Sequence, residues 1–394
     1  MADVLENLKI LDFTTLLAGP FATMYLADMG AHVLRIISGS RPDFIRSAPP
    51  FIPDTDIFAA DAQLNRNKQC ICLNLKDDRA MDIIHRLVEE YDIIIESFRP
   101  GVMSRLKMDY DRMKKINPAI IYCSLSGYGQ TGPLKYRAGH DINFVARSGI
   151  ASYSGKKTIG PCLGGVQNDL AAGSMNAVIG IMTAVIYRNT TGKGQYIDIS
   201  ITDGMMAFTA LYGTTNLVDG KDPELEGGMS YGGSLYDYYK TKDGKYISIA
   251  SIEPKFFSNF CKVINRPDLI PGGIEPDEIH RVKKEIQDIF LKKNRDEWMI
   301  LFDSTDACVE PVLTLSEALT SLQATEREMV VELSLAQGGT VRQVAHPIKF
   351  SQLKPVYKKP HFAIQSGIHT REVCRSIGYS EEQIETFEKT GLFS

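Results

Sequence analysis

Two periodicities alternate along the first 200 residues. Short apolar runs rich in β-branched residues, "LKILDF", "AHVLRII", "YDIIIESF" and "AIIYCSLSG", fit strands buried on both faces. Between them, apolar positions recur three and four apart in "GPFATMYLADMG", which Gly30 ends, in "DDRAMDIIHRLVEE" and in "YDRMKKIN". That spacing predicts helices. Strand–helix–strand alternation predicts an α/β fold, a parallel sheet with helices on both faces. No GxGxxG follows the first strand, so the dinucleotide fingerprint is absent. The loops at the strand ends remain the natural place for another ligand.

A long helical pattern follows in "NDLAAGSMNAVIGIMTAVIYRN", with Asn168 or Asp169 as the N-cap. Its small residues, Ala171 to Ser174, predict close packing or close approach by a ligand. It reads as too short and too well capped to span a membrane, and no run of about 18 uninterrupted apolar residues occurs. The pattern changes near residue 218, where "VDGKDPELEGGMSYGGS" reads as a linker. A hairpin is expected in "LYDYYKTKDGKYISIAS", turning at Asp243–Gly244. Amphipathic helices are expected in "PDEIHRVKKEIQDIFLKKNRDEWMILFDS". The expected organisation is a large α/β domain over 1–200, completed by 321–394, a linker helix and loop over 201–224, and a smaller α+β domain over 225–320. The tail reads as an extended segment and one terminal helix.

Composition narrows the function classes. Of 394 residues, 44% are apolar and 23% charged, with a formal net charge of −4. That balance points away from nucleic acid and from anionic membrane surfaces, and leaves local basic residues free to hold a small anion. The seven cysteines are scattered without a CxxC pair, and "MADVLENLKILDF" lacks the basic region and apolar run of a signal peptide. Reduced thiols in a cytoplasmic protein are the expectation.

Among the histidines, His85 and His280 lie in amphipathic patterns and read as surface residues, and His32 begins a strand. His346, His361 and His369 sit in the tail without an evident set of partners. His140 differs: in "RAGHDINFVARSGI" it follows a Gly-rich loop, with Asp141 beside it. Either Asp141 is a cap or first-turn acid and His140 a polar turn residue, or the imidazole is a neutral base. Asp169 is either an N-cap or a carboxylate at a helix start whose amides face a reacting oxyanion. Glu253, before Pro254, is a first-turn acid or the holder of a histidine's second nitrogen. Arg35, Arg66, Lys68, Lys76, Arg99 and Arg105 recur at successive strand ends, either as solvated charges or as partners for phosphates.

These motifs, with "NRNKQCICLNLK", "SLSGYGQTGP", "GKGQYIDISITDG" and "STDACVEPVLT", run nearly end to end in a familiar order. The chain resembles the family III CoA-transferases of the CaiB/BaiF type, a superfamily that includes 2-methylacyl-CoA racemases. The resemblance implies a Rossmann-like parallel sheet in the large domain and an interlocked homodimer. It implies an acyl-CoA substrate and no separate cofactor or metal, CoA being part of the thioester. Transferases of this type use the aspartate that matches Asp169 as a nucleophile. The racemases pair it with a histidine in Gly-His-Asp-Ile-Asn and a glutamate in Ile-Glu-Pro. Gly139-His140-Asp141-Ile142-Asn143 and Ile252-Glu253-Pro254 match that pattern, so the racemase branch is the expected one, with CoA transfer as the alternative. Arg35, Leu75, Lys76, Arg99, Arg105, Gly127, Tyr128, Gly129 and Asp141 are then the expected CoA contacts. Three departures bear on acyl specificity, one of them that "SYGGSLYDYY" lacks an Ala-Pro step often seen before the aromatic pair. Asn168-Asp169-Leu170-Ala171-Ala172-Gly173 stands where racemases often have Gly-Asp-Phe-Gly-Gly-Gly, and Tyr231 stands where an acid is common. Met205, Met206, Phe208, Tyr212, Met229 and Tyr236 are either plain core or the acyl path.

Overall fold

The computed structural model describes residues 4–39, 43, 45, 49–55, 57–162, 165–228, 233–275, 277–335, 339–357 and 367–394. Met229, Tyr231 and His361 lie outside them. The chain divides into two compact units, one of residues 1–144, 165–207 and 323–394, the other of 145–164 and 208–322. The second unit thus takes in 145–164 and begins at 208 rather than at 225.

The first unit is built on β1 (Lys9–Phe13), α1 (Ala18–Asp28), β2 (His32–Ile37), α2 (Ala59–Asn65), β3 (Lys68–Cys72), α3 (Asp78–Glu90) and β4 (Ile93–Glu96). Then come α4 (Val102–Arg105), α5 (Tyr110–Ile116), β5 (Ile121–Ser126) and α6 (Asp141–Ser148), which runs across the boundary into the second unit. A π-helical turn (Asp169–Ser174), α7 (Met175–Thr191), β6 (Tyr196–Ser200) and α8 (Ile201–Ala207) follow. The six strands are all parallel in the order β3-β2-β1-β4-β5-β6. Strand order reverses between β1 and β4, and a crevice opens there at the carboxyl ends.

The inner strands are buried along almost their whole length, Asp12, Arg35 and Ser124 included, while edge strand β6 is half exposed. Leu11, Phe13, Leu34, Ile36 and Ile94 pack with Ile83, Ile84 and Leu87 of α3, and Val373, Ile384 and Leu392 from the C-terminal segment join them. Asp77 caps α3, accepting from Arg79 N at 2.9 Å. The tail forms two helices, Thr370–Ser376 and Glu381–Lys389, rather than one. Gly378 at φ 92° ends the first, and Ser380 with Gln383 forms a capping box for the second.

The helical run from Asp169 to Thr191 has 23 residues and is long and apolar enough to cross a membrane, contrary to the expectation that it is too short. Ala177, Ile181, Ala184 and Val185 are buried within the unit, which accounts for one apolar side, while Ile179, Ile186 and Tyr187 are exposed.

The second unit holds a three-stranded antiparallel sheet of Val309–Pro311, Tyr246–Ile249 and Asp237–Lys240, in that order. The hairpin turns at Gly244, φ 79°, where the sequence places Asp-Gly. Its core is aromatic: Phe260, Phe290, Trp298 and Phe302, with Trp298 Nε1 donating to Phe290 O at 3.0 Å.

Candidate active site

After β5 the chain turns through Gly127, Tyr128 and Gly129. Gly127 O accepts from both the amide and the hydroxyl of Thr202, at 3.0 and 2.7 Å. A Cβ on Gly127 would stand 2.1 Å from the Phe144 ring, and one on Gly139 would stand 2.7 Å from it. Glycine at both places lets Phe144 insert between the loop and the start of α6. Tyr128 meets that ring edge-on at 5.1 Å. The loop that leads to His140 is therefore held from two sides.

His140 sits just before α6. Its N–H donates to Asn143 Oδ1 at 3.0 Å, and its carbonyl accepts from Asn143 N at 2.7 Å. The side chain is exposed, and its imidazole makes no hydrogen bond or ion pair among the described residues. Phe144 N also donates to His140 O, at 3.4 Å, which leaves Asp141 N and Ile142 N as the amides at the start of α6 with no hydrogen bond among the described residues.

Asp141 is 6% exposed. Both of its oxygens are used across 27 and 28 residues of sequence: one accepts from Asn168 Nδ2 at 2.9 Å, the other from Asp169 N at 2.8 Å. It opens its own helix and caps a different one. Asn168 stands at the N-cap position, one of the two expected, but its side chain makes no capping bond and donates instead to Asp141. The Asp169 carboxyl is left over: Oδ1 is buried with no hydrogen-bond partner. Burial, and then the negative charge of Asp141, push Asp169 up to about 7.

The residues after Asp169 are small because the backbone is crowded. They form a π turn, a widened geometry frequent at functional sites. A Cβ on Gly173 would stand 3.1 Å from Ile201 Cγ1, and Ser174 Oγ donates to Ala18 O at 2.6 Å. Close packing, one of the two readings of this stretch, is what the small residues provide.

The basic residues divide. Arg35 is 1% exposed on β2, with Nη2 3.2 Å from Asp43 and Nη1 3.7 Å from Asp61. Its Nε and Nη1 lack hydrogen bonds. With Phe13, Leu75, Lys76 and Phe98 it lines a cleft of about 190 Å³ at the carboxyl ends of β1 to β4, beside the point where strand order reverses. A buried guanidinium with unused donors in such a cleft is suited to an anion. Arg99 lines another cleft, of about 290 Å³, with Glu96, Tyr122, Ser124 and Gln130. Arg105 is exposed and lines neither of these two.

Arg66 and Lys68 are not available to a ligand. Arg66 pairs with Asp28 at 2.6 Å, and Lys68 Nζ donates to Thr23 Oγ1 at 2.7 Å beside Asp12. Glu253 belongs to the second unit, where it is the exposed N-cap residue of helix Pro254–Val263 and makes no capping bond. Met205 is buried in the first unit and Met206 exposed. Phe208 and Tyr236 are exposed in the second.

The sequence profile of CoA-transferase family III matches residues 5–362. The chain belongs to CoA-transferase family III. Within that family it is 33% identical over 384 residues to human alpha-methylacyl-CoA racemase, covering 96% of this chain and 95% of the relative. It is also 33% identical over 398 residues to mouse succinyl-CoA:glutarate CoA-transferase, covering 98% and 90%. Among solved structures, a CAIB/BAIF family protein from Brucella suis superposes with a TM-score of 0.81 at 26% identity, over 95% of this chain and 99% of that one.

This family III enzyme holds one acid that sequence reasoning missed. Glu96 ends β4 at 3% exposure, accepts from Phe98 N at 2.7 Å, and is pushed up to about 7, chiefly by burial. The signal was present, an acid closing the apolar run "IIIE", but its depth depends on which strands flank β4. His346 and His369 likewise have partners that the sequence hides. His346 Nδ1 lies 3.7 Å from Asp28, and His369 Nδ1 accepts from Cys70 N at 3.1 Å.

Proposed function

We propose that this family III enzyme is a 2-methylacyl-CoA racemase. It interconverts the (R) and (S) thioesters by removing the α-proton and returning it on the other face. The observation that carries this reading is the half-buried Asp169 carboxyl, with Oδ1 buried and unpartnered and its pKa pushed up to about 7, joined through Asp141 to the turn that holds His140. An acid of that kind exists in both protonation states near pH 7. It can give a proton in one direction and take it in the other. His140 is the matching base on the opposite face of the substrate. The enolate oxygen is stabilised by the free N–H groups at the start of α6. CoA phosphates occupy the Arg35 cleft with Leu75 and Lys76, and the acyl-CoA thioester is the whole substrate, with no further cofactor.

A homodimer fits the apolar surface that each unit leaves exposed: Ile179, Ile186 and Met206 in the first, Phe208, Leu211, Leu217 and Val218 in the second. All seven cysteines are free, which favours a reducing compartment such as the cytoplasm. The test of function is incubation of one pure enantiomer of a 2-methylacyl-CoA with the protein. Appearance of the other enantiomer without any carboxylic acid acceptor is expected.

The equal identity to a succinyl-CoA:glutarate CoA-transferase keeps a second reading open, in which Asp169 attacks a thioester and carries CoA as an aspartyl thioester. Under it, hydroxylamine inactivates the enzyme only in the presence of acyl-CoA, and His140→Ala retains most activity.

A further inference from the structure

Asp141 contributes more than an expected CoA contact. Its side chain is buried, and both carboxylate oxygens are bound to the chain at Asn168 and Asp169. These two bonds decide how the π turn starts. Asp169 N is fixed by an acceptor from another helix, and the Asp169 side chain makes no capping bond of its own. It also places a second carboxylate beside one that already lacks a partner, in surroundings where solvent does little to screen the pair.

We propose that Asp141 is the positioning residue for Asp169, fixing the first turn of its helix and, as a buried negative charge, keeping the Asp169 carboxyl in a proton-carrying form. The inference rests on the racemase reading for its purpose, since a proton carrier needs both states while a nucleophile needs the ionised one. It does not rest on it for its physics. Like charges close together in a poorly solvated site resist joint ionisation. Other charged groups on the elements packed against the turn are engaged or outlying. On α1, Asp28 is paired with Arg66, on α7, Arg188 is paired with Asp92, and on α8, Asp203 is exposed. On β6, Asp198 accepts from Gln130 N at 3.0 Å. Burial raises the proton affinity of Asp169 most, and Asp141 is the charge that adds to it.

The experiment reads the Asp169 proton directly in the free protein, with no substrate. The infrared carboxylic-acid band that is lost in Asp169→Asn is titrated against pH. Asp141→Asn removes the charge and keeps one acceptor, and Asp141→Ser keeps a smaller one. In whichever folds, judged by circular dichroism, the band titrates about one pH unit lower, a roughly tenfold weaker proton affinity. Asn168→Ala, which keeps the charge and removes one hydrogen bond, leaves the titration in place. A band unmoved by loss of the Asp141 charge, or moved as far by Asn168→Ala, overturns the proposal. The shift can be present in a protein that does not racemise, and racemisation can be present without the shift, so the two claims fail separately. If both hold, the acid limb of the kcat/KM profile moves down with the band, which a purely structural role for Asp141 does not produce.

Discussion

Asp169 and Glu96 place two carboxyls of raised proton affinity in one fold unit, and both carry a consequence for stability. Each binds its proton more tightly in the folded chain than in the unfolded one. The stabilisation linked to that proton is complete below the ordinary carboxylate range and is lost as pH rises through about 7. Asp169→Asn removes one of these ionisations. It should abolish activity and, relative to its effect at pH 4, stabilise the protein at pH 8 by about 1 kcal/mol, discounted for the part of the group that solvent reaches. Thermal melts of both proteins at the two pH values check this. At this scale the sequence marks His140, Asp141 and Asp169 as titratable groups at the starts of apolar helical runs. It does not show that the Asp141 carboxylate reaches Asp169 N, because that contact depends on how α6 and the π turn pack. Nor does it distinguish Arg35, with unused donors in a cleft, from Arg66, whose guanidinium is spent on Asp28.

The π turn is the element on which the site depends, and it is held by close packing. A Cβ on Gly204 of α8 would stand 2.7 Å from Ala172 O and 2.9 Å from Ala172 Cβ. Gly204→Ala must therefore push α8 off the turn. The expected cost is about 1–3 kcal/mol in denaturant unfolding, with a loss of activity that Gly204 could not cause by chemistry, since it carries no functional group. Strands were legible here because buried parallel strands are nearly unbroken apolar runs. Helix ends were less so. The tail reads as one helix until Gly378 and the Ser380–Gln383 box divide it, and the start of the π turn reads as an ordinary cap although the acceptor comes from α6. Caps built from distant residues leave no local pattern.

Across the whole molecule, the segment that returns after the second unit is tied to the sheet by polar bonds that are at least part-buried on the side of Arg66 and Asp28. Arg66 Nη1 donates to Val344 O at 2.7 Å, Asn67 Nδ2 to Val356 O at 2.8 Å, and Val356 N to Asp28 O at 2.7 Å. Arg66→Ala strands the Asp28 carboxylate in a dry site, and a loss of about 3–5 kcal/mol is expected in equilibrium unfolding. Sedimentation should give twice the mass of one chain; a monomer at micromolar concentration contradicts the dimer. The α/β class and the parallel sheet were readable from alternation of patterns alone. The return of 323–394 to the first unit depends on contacts nearly 300 residues apart in sequence, which no local window contains. The central claim is two-base proton transfer at the α-carbon, and α-hydrogen exchange from each enantiomer of a 2-methylacyl-CoA in heavy water, in the His140→Gln variant, tests it most directly. With one base removed and Asp169 intact, deuterium should enter one enantiomer while racemisation falls by about 10²–10⁴-fold. Undiminished racemisation, or no exchange from either enantiomer in the wild-type enzyme while CoA passes to an added carboxylic acid, would contradict it.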